Sequence, residues 1–161
     1  MRRSHRSCLV VACVALAVSM AAPPAGGTQK TPKSCKLLKV SKIEQVLGAP
    51  ATVAKDAGLS VSAGADSCGY DVAPGLGQPG GALVVVTHYK GALADGIAAE
   101  FAPRAERLAG GAVWDPRSEV AYVVKKGKVV GVSVTYTSSD PPASDLQPEA
   151  AKLAKAAARR A

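Results

Sequence analysis

The chain has 161 residues and a formal net charge of +8, with 48% hydrophobic and 4% aromatic residues. This length is enough for one domain with its own core. Asparagine is absent, which excludes N-linked glycosylation, and the few aromatics signal no stacking platform for sugars or bases.

Arg2, Arg3 and Arg6 form a basic start, Cys8 to Met20 an apolar run, and Ser19, Ala21 and Ala22 a small-residue cleavage site. This is the pattern of a secretory signal peptide over residues 1–22. The run is shorter than the ~20 residues a membrane span needs, so no transmembrane segment is expected in the mature chain. Val10-Val11-Ala12-Cys13 loosely resembles a lipobox, but the apolar run continues past Cys13 to Met20. Arg2-Arg3 lacks the apolar residues that follow a twin-arginine pair, so general secretory export is the expectation. The mature protein is then extracytoplasmic, either secreted or held in the cell envelope or periplasm.

Cleavage removes three arginines and two cysteines and leaves Cys35 and Cys68 in an oxidising compartment. Two cysteines permit one internal connectivity. A Cys35–Cys68 bridge would close a loop of about 34 residues, worth about 3–4 kcal/mol in the chain-entropy account. Two isolated cysteines and one mature histidine, His88, do not make a metal site, and no cofactor is expected.

Residues 23–33 read as a polar, proline-bearing linker, and residues 34–160 as a single domain. Ser41-Lys42-Ile43-Glu44 fits a capping box opening a short helix that Gly48 and Pro50 stop. Ala51 to Asp66 reads as loop, with a brief extended piece at Leu59 to Val61. Ser67 to Val72 alternates as a strand with Cys68, Tyr70 and Val72 on one side, so the bridge would tie helix to sheet. A Gly/Pro-rich connection, Ala73 to Gly81, leads into the β-branched strand Ala82 to Lys90. Leu93, Ile97 and Phe101 mark an amphipathic helix that Pro103 breaks or kinks before Leu108. Ala112 to Trp114 reads as a short strand turning at Asp115-Pro116. Val120 to Lys125 and Val129 to Thr137 form a hairpin turning at Lys126-Gly127, with Val130, Val132, Val134 and Tyr136 inward and Ser133 and Thr135 outward. Ser144 or Asp145 would cap a last helix carrying Leu146, Ala150, Leu153 and Ala157, with Arg159 and Arg160 at its C-terminal end. The order α-β-β-α-β-β-β-α predicts an α+β domain: an antiparallel sheet with helices packed on one face and one disulfide.

Ser34-Cys35-Lys36-Leu37-Leu38, then Leu47-Gly48-Ala49-Pro50, then Ser67-Cys68-Gly69-Tyr70 form a pattern. It resembles a domain family of unknown function: small exported, lipoprotein-like domains of high-GC bacteria, chiefly actinobacteria. The resemblance covers most of residues 34–160 and implies an envelope location, a disulfide and an α+β domain. It supplies no catalytic residues. Members of that family often carry a lipidated cysteine at the end of the signal, and none occurs between Met20 and Ser34.

No catalytic motif stands out. His88, the sole mature histidine, reads as a surface or sheet-edge residue beside Val84 and Val86. The carboxylate pairs Asp66/Asp71 and Asp140/Asp145 sit among turn formers. Gly75, Gly77, Gly80 and Gly81 lack the lysine of a phosphate loop. Two basic features remain: Lys30, Lys33, Lys36, Lys39 and Lys42 at every third residue, and Lys125, Lys126 and Lys128 at the hairpin tip. A solvated surface that blocks edge pairing explains them, as does attraction to an anionic envelope polymer. Trp114 fits either a core position at the sheet end or one wall of a groove. The expectation is an exported, non-catalytic binding module, using Trp114, Lys125, Lys126 and Lys128 toward an envelope polymer or protein, with no nucleic acid. The alternatives are a secreted hydrolase acting through His88 and a protein-directed inhibitor or sensor domain.

Overall fold

Alternation of β-branched residues builds the centre of the sheet. In the computed structural model, which describes residues 33–54, 64–74, 80–137 and 146–161, the two longest strands pair over nine residues. These are β3 (Ala82–Lys90) and β7 (Lys128–Tyr136). The remaining strands are β1 (Ala51–Val53), β2 (Ala65–Val72), β4 (Glu106–Arg107), β5 (Val113–Asp115) and β6 (Val120–Lys125). The sheet order is β1-β2-β3-β7-β6-β5-β4, with antiparallel neighbours throughout. The predicted signal segment, the predicted linker to Pro32, the expected extended piece at Leu59 to Val61, most of the Gly/Pro-rich connection, and the candidate caps Ser144 and Asp145 lie outside the described residues.

The α+β class, the order of the eight predicted elements and the Cys35–Cys68 bridge are as the sequence predicts, with the short strands β1 and β4 added. On one face, Cys68, Tyr70, Val84, Val86, Val130 and Val132 are buried under helices α1 (Val40–Leu47) and α3 (Gln147–Ala158). Burying a side chain of this size stabilises by about 1.5–3 kcal/mol. Helix α3 presents Ala150, Ala151, Ala154, Ala157 and Ala158 to the core, so its axis lies close to the sheet, with Leu153 as its large anchor. Helix α2 (Ala92–Phe101) departs from the expected one-face packing. It covers the opposite face, where Tyr89, Val113, Tyr122 and Val129 offer apolar side chains of the other strand parity. The Phe101 ring stacks on Tyr122 with centroids 4.5 Å apart. Gly131 makes room for that ring, because a Cβ there would sit 2.9 Å from Tyr122 Cε1. Beyond α2 this face carries Ser67, Thr87, Ser133 and Thr135 together with Asp71 and the half-buried Leu83 and Val85.

Several local expectations are corrected. Helix α1 begins at Val40 with Lys39 as N-cap and no side-chain cap, so Ser41 and Glu44 form no capping box. Glu44 instead accepts a hydrogen bond from the Ala51 N–H at 3.2 Å, helping the chain enter β1, which the sequence reads as loop. Gly48 stops the helix in the left-handed conformation, as expected. Helix α2 ends at Phe101, and Glu106–Arg107 adds a two-residue edge strand beyond Pro103. Edge strands this short have little intrinsic signal, since the ladder partner supplies what holds them.

The β6–β7 turn has positive φ at both Lys126 (48°) and Gly127 (69°). This backbone suits asparagine far better than lysine at the first position. Lys126→Asn is expected to raise the urea midpoint, by about 1 kcal/mol in stability. An unchanged or lower midpoint would refute that account of the turn.

Candidate functional site

One end of the molecule gathers its cations. The 3-10 turn Lys33–Lys36 leads through Leu37 and Leu38 to the start of α1, and this segment faces the last turn of α3. Between them lies a cleft of about 450 Å³, with Leu37, Leu38 and Ala156 in its wall and Lys39, Lys42, Arg159 and Arg160 around it. A second cleft of about 200 Å³ lies between the β6–β7 tip and the same end of α3. It is lined by Lys125, Lys126 and Lys128 together with Val123, Val130, Ala158 and Ala161. Neither cleft is lined by an aspartate or glutamate.

The cations divide by what the fold asks of them. The Lys125 Nζ donates to the Ala158 carbonyl at 3.4 Å and the Lys128 Nζ to the Ala161 carbonyl at 2.6 Å. Both offset the negative end of α3, as do Arg159 and Arg160 by position. Lys39 and Lys42 do the reverse. They sit at the N-terminal turn of α1, where the dipole disfavours cations, and that turn has no acidic residue. Lys42 finds only Gln45 Oε1, at 2.9 Å. The side chains of Lys39, Lys126, Arg159 and Arg160 have no hydrogen-bond or ion-pair partner among the described residues.

One covalent bridge and a set of hydrogen bonds hold the Lys39 wall. Cys35 is bonded to Cys68 of β2. Ser34 donates from N and Oγ to the two Asp66 carboxylate oxygens at 3.1 and 3.2 Å. The Tyr70 hydroxyl, wholly buried, donates toward the carbonyls of Cys35 (3.2 Å) and Leu38 (2.9 Å). Burial raises its pKa to about 12, so it remains a donor across the physiological range.

The other predicted site residues lie elsewhere. Trp114 is buried at 8% exposure in the main core, in β5, and is not brought together with Lys125, Lys126 and Lys128 into one surface. His88 is not at a surface or edge: it sits in the central strand β3 at 5% exposure, and its Nε2 has no hydrogen-bond partner among the described residues. Asp66 lies opposite it in the ladder, yet the Asp66 oxygens are engaged by Ser34. Burial chiefly, with Lys90 and Lys128 adding, lowers the His88 pKa below 6.5, against a weaker opposing pull from Asp66. An imidazole that resists protonation when folded costs stability as pH falls below 6.5, because the unfolded chain then binds the extra proton. His88→Leu should hold its stability at pH 7.5 within about 1 kcal/mol, since it removes an unpaired polar atom. The variant should also lose part of the wild type's decline between neutral and mildly acid pH in chemical denaturation. Equal pH slopes for the two proteins would count against this reading.

Sequence reasoning missed two features. Lys39, Lys42, Arg159 and Arg160 were visible only as separate charge features, because their meeting is tertiary. The Asp115 carboxylate, wholly buried, takes both Arg104 Nε (2.6 Å) and Nη2 (2.9 Å), though Asp115 reads in sequence as a turn former. Among the described residues, no helix is long and apolar enough to cross a membrane. No family model, curated protein or solved structure matches the chain.

Proposed function

We propose that the domain is an exported, non-catalytic binding module whose basic end captures an anionic polymer of the cell envelope. The observation that carries this reading is the cleft around Lys39, Lys42, Arg159 and Arg160, whose lining holds no acid and whose two lysines oppose the helix dipole, Lys42 with only Gln45 as a polar partner among the described residues. A low-dielectric wall of Leu37 and Leu38 strengthens the field the cations present to a ligand. The signal-like N-terminus and the disulfide support the extracytoplasmic setting.

The test is retention of the oxidised protein on an immobilised phosphodiester polymer across a salt series. Binding should weaken steadily with salt, as screening shortens to ~8 Å at physiological ionic strength. Lys39→Glu/Arg160→Glu is expected to lose at least ~10-fold in affinity, the equivalent of about 1.4 kcal/mol. Arg107→Glu/Arg117→Glu, which changes net charge equally at exposed positions outside the clefts, should lose much less. No retention at low salt, or equal losses in the two variants, would overturn the proposal.

A further inference from the structure

The two clefts flank one helix end. Ala156 lines the larger and Ala158 the smaller. Residues two apart on an α-helix point about 200° from each other, so the clefts lie on opposite sides of α3's last turn. That turn is slim, being built of Ala156, Ala157 and Ala158. A helix measures ~10 Å across with its side chains, which sets the separation of the two cationic walls. Arg159 and Arg160, exposed and without partners among the described residues, follow directly and line the larger cleft, and Ala161, next in the chain, lines the smaller.

Resting on the proposed anion-binding function, we infer that the ligand is a flexible polyanionic chain that wraps the C-terminal turn of α3. It places one anionic group in the Lys39/Lys42 cleft and another in the Lys125/Lys126/Lys128 cleft. A single phosphate meets only one wall. A flat anionic bilayer cannot enter two concave sites on opposite sides of a helix, whereas a phosphodiester or polyphosphate chain can. Binding of the second group is then intramolecular, and such linkage raises affinity by about 10²–10⁴-fold when the chain spans the sites.

The experiment measures affinity for orthophosphate, tripolyphosphate, long-chain polyphosphate and vesicles of anionic phospholipid, using the oxidised protein. Long-chain polyphosphate should bind about 100-fold tighter than orthophosphate. Lys39→Glu and Lys126→Glu should each remove most of that gain, and the two losses should fall short of additive. Lys126→Gln serves as a gentler second variant, with circular dichroism confirming the fold. Long-chain binding that depends on Lys39 but is untouched by both Lys126 variants would overturn the two-cleft inference and leave the anion-binding function standing. Vesicle binding without polyphosphate binding would also overturn it, in favour of a membrane surface. Absence of binding to every probe would overturn both.

Discussion

Removing the Cys35–Cys68 bridge, by reductant or by Cys35→Ser/Cys68→Ser, is expected to lower stability by about 3–4 kcal/mol. The bridge spans a sequence separation of 33 and so restricts a long loop of the unfolded chain. In a domain whose net stability is about 5–15 kcal/mol, that is a large share. At about 2–4 °C per kcal/mol for a chain of this size, the melting temperature should fall by roughly 10 °C. The fold should nevertheless survive, because the bridged segment has other ties. Ser34 remains bonded to Asp66, and Tyr70 remains bonded to the Cys35 and Leu38 carbonyls. Thermal melts followed by circular dichroism, with and without reductant, decide the matter. A shift under 2 °C would mean that these polar ties, and not the covalent one, set the helix-to-sheet geometry. Adding Tyr70→Phe to the reduced protein removes the donor to both carbonyls, and the melting temperature should drop further.

The second large effect is expected at Asp115. Its carboxylate is buried and fully engaged: two bonds from Arg104, the Arg117 N–H at 3.2 Å and the Ser118 hydroxyl at 2.8 Å. Together these join the end of α2, through Arg104, to the β5–β6 turn. Asp115→Asn keeps the shape and loses the charge-assisted bonds, with an expected cost of about 2–3 kcal/mol at neutral pH. Hydrogen bonds from Arg104 foremost, then Ser118 and Arg117, hold the Asp115 pKa at about 2 instead of 3.8, against the opposing effect of burial. A carboxylate whose folded pKa is depressed contributes its full stability above the unfolded value and loses it as pH falls through the folded one. The gap between wild type and Asp115→Asn should therefore be constant above about pH 5 and close between pH 4 and pH 2. Urea titrations at pH 7, 4 and 2.5 measure it. A gap that does not narrow with acid would show that the cost comes from placing an amide donor among the Arg104, Arg117 and Ser118 donors and not from loss of the Asp115 charge.

The elements legible in the chain are those whose signal is carried by near neighbours. Period-two alternation marks Ala82–Lys90 as a strand, and Lys126-Gly127 between two β-branched runs marks the hairpin. Leu93, Ile97 and Phe101 mark α2, and Pro103 marks its end. Cys35 and Cys68, the two cysteines beyond the expected signal segment, permit one pairing, which the structure contains.

What only the tertiary structure decided depends on which segments lie side by side. Helix α1 begins at Val40, and Glu44, half of the expected capping box, instead accepts from the Ala51 N–H across the helix end. His88 became interior because β7 returns to pair along the whole of β3, turning an apparent edge into the centre of a sheet. Trp114 turned inward on β5 against the main core, leaving the lysines to form the cationic surface without it. Lys39 and Lys42 met Arg159 and Arg160, more than a hundred positions away, only because α1 and α3 share one face of the sheet. Hydrophobic period and turn chemistry are properties of a few adjacent residues, so the chain alone determined its longer strands, two of its helix ends and the Cys35–Cys68 bridge. Burial, ion pairing and clefts arise between residues brought together across long loops, so the candidate site was decided by packing.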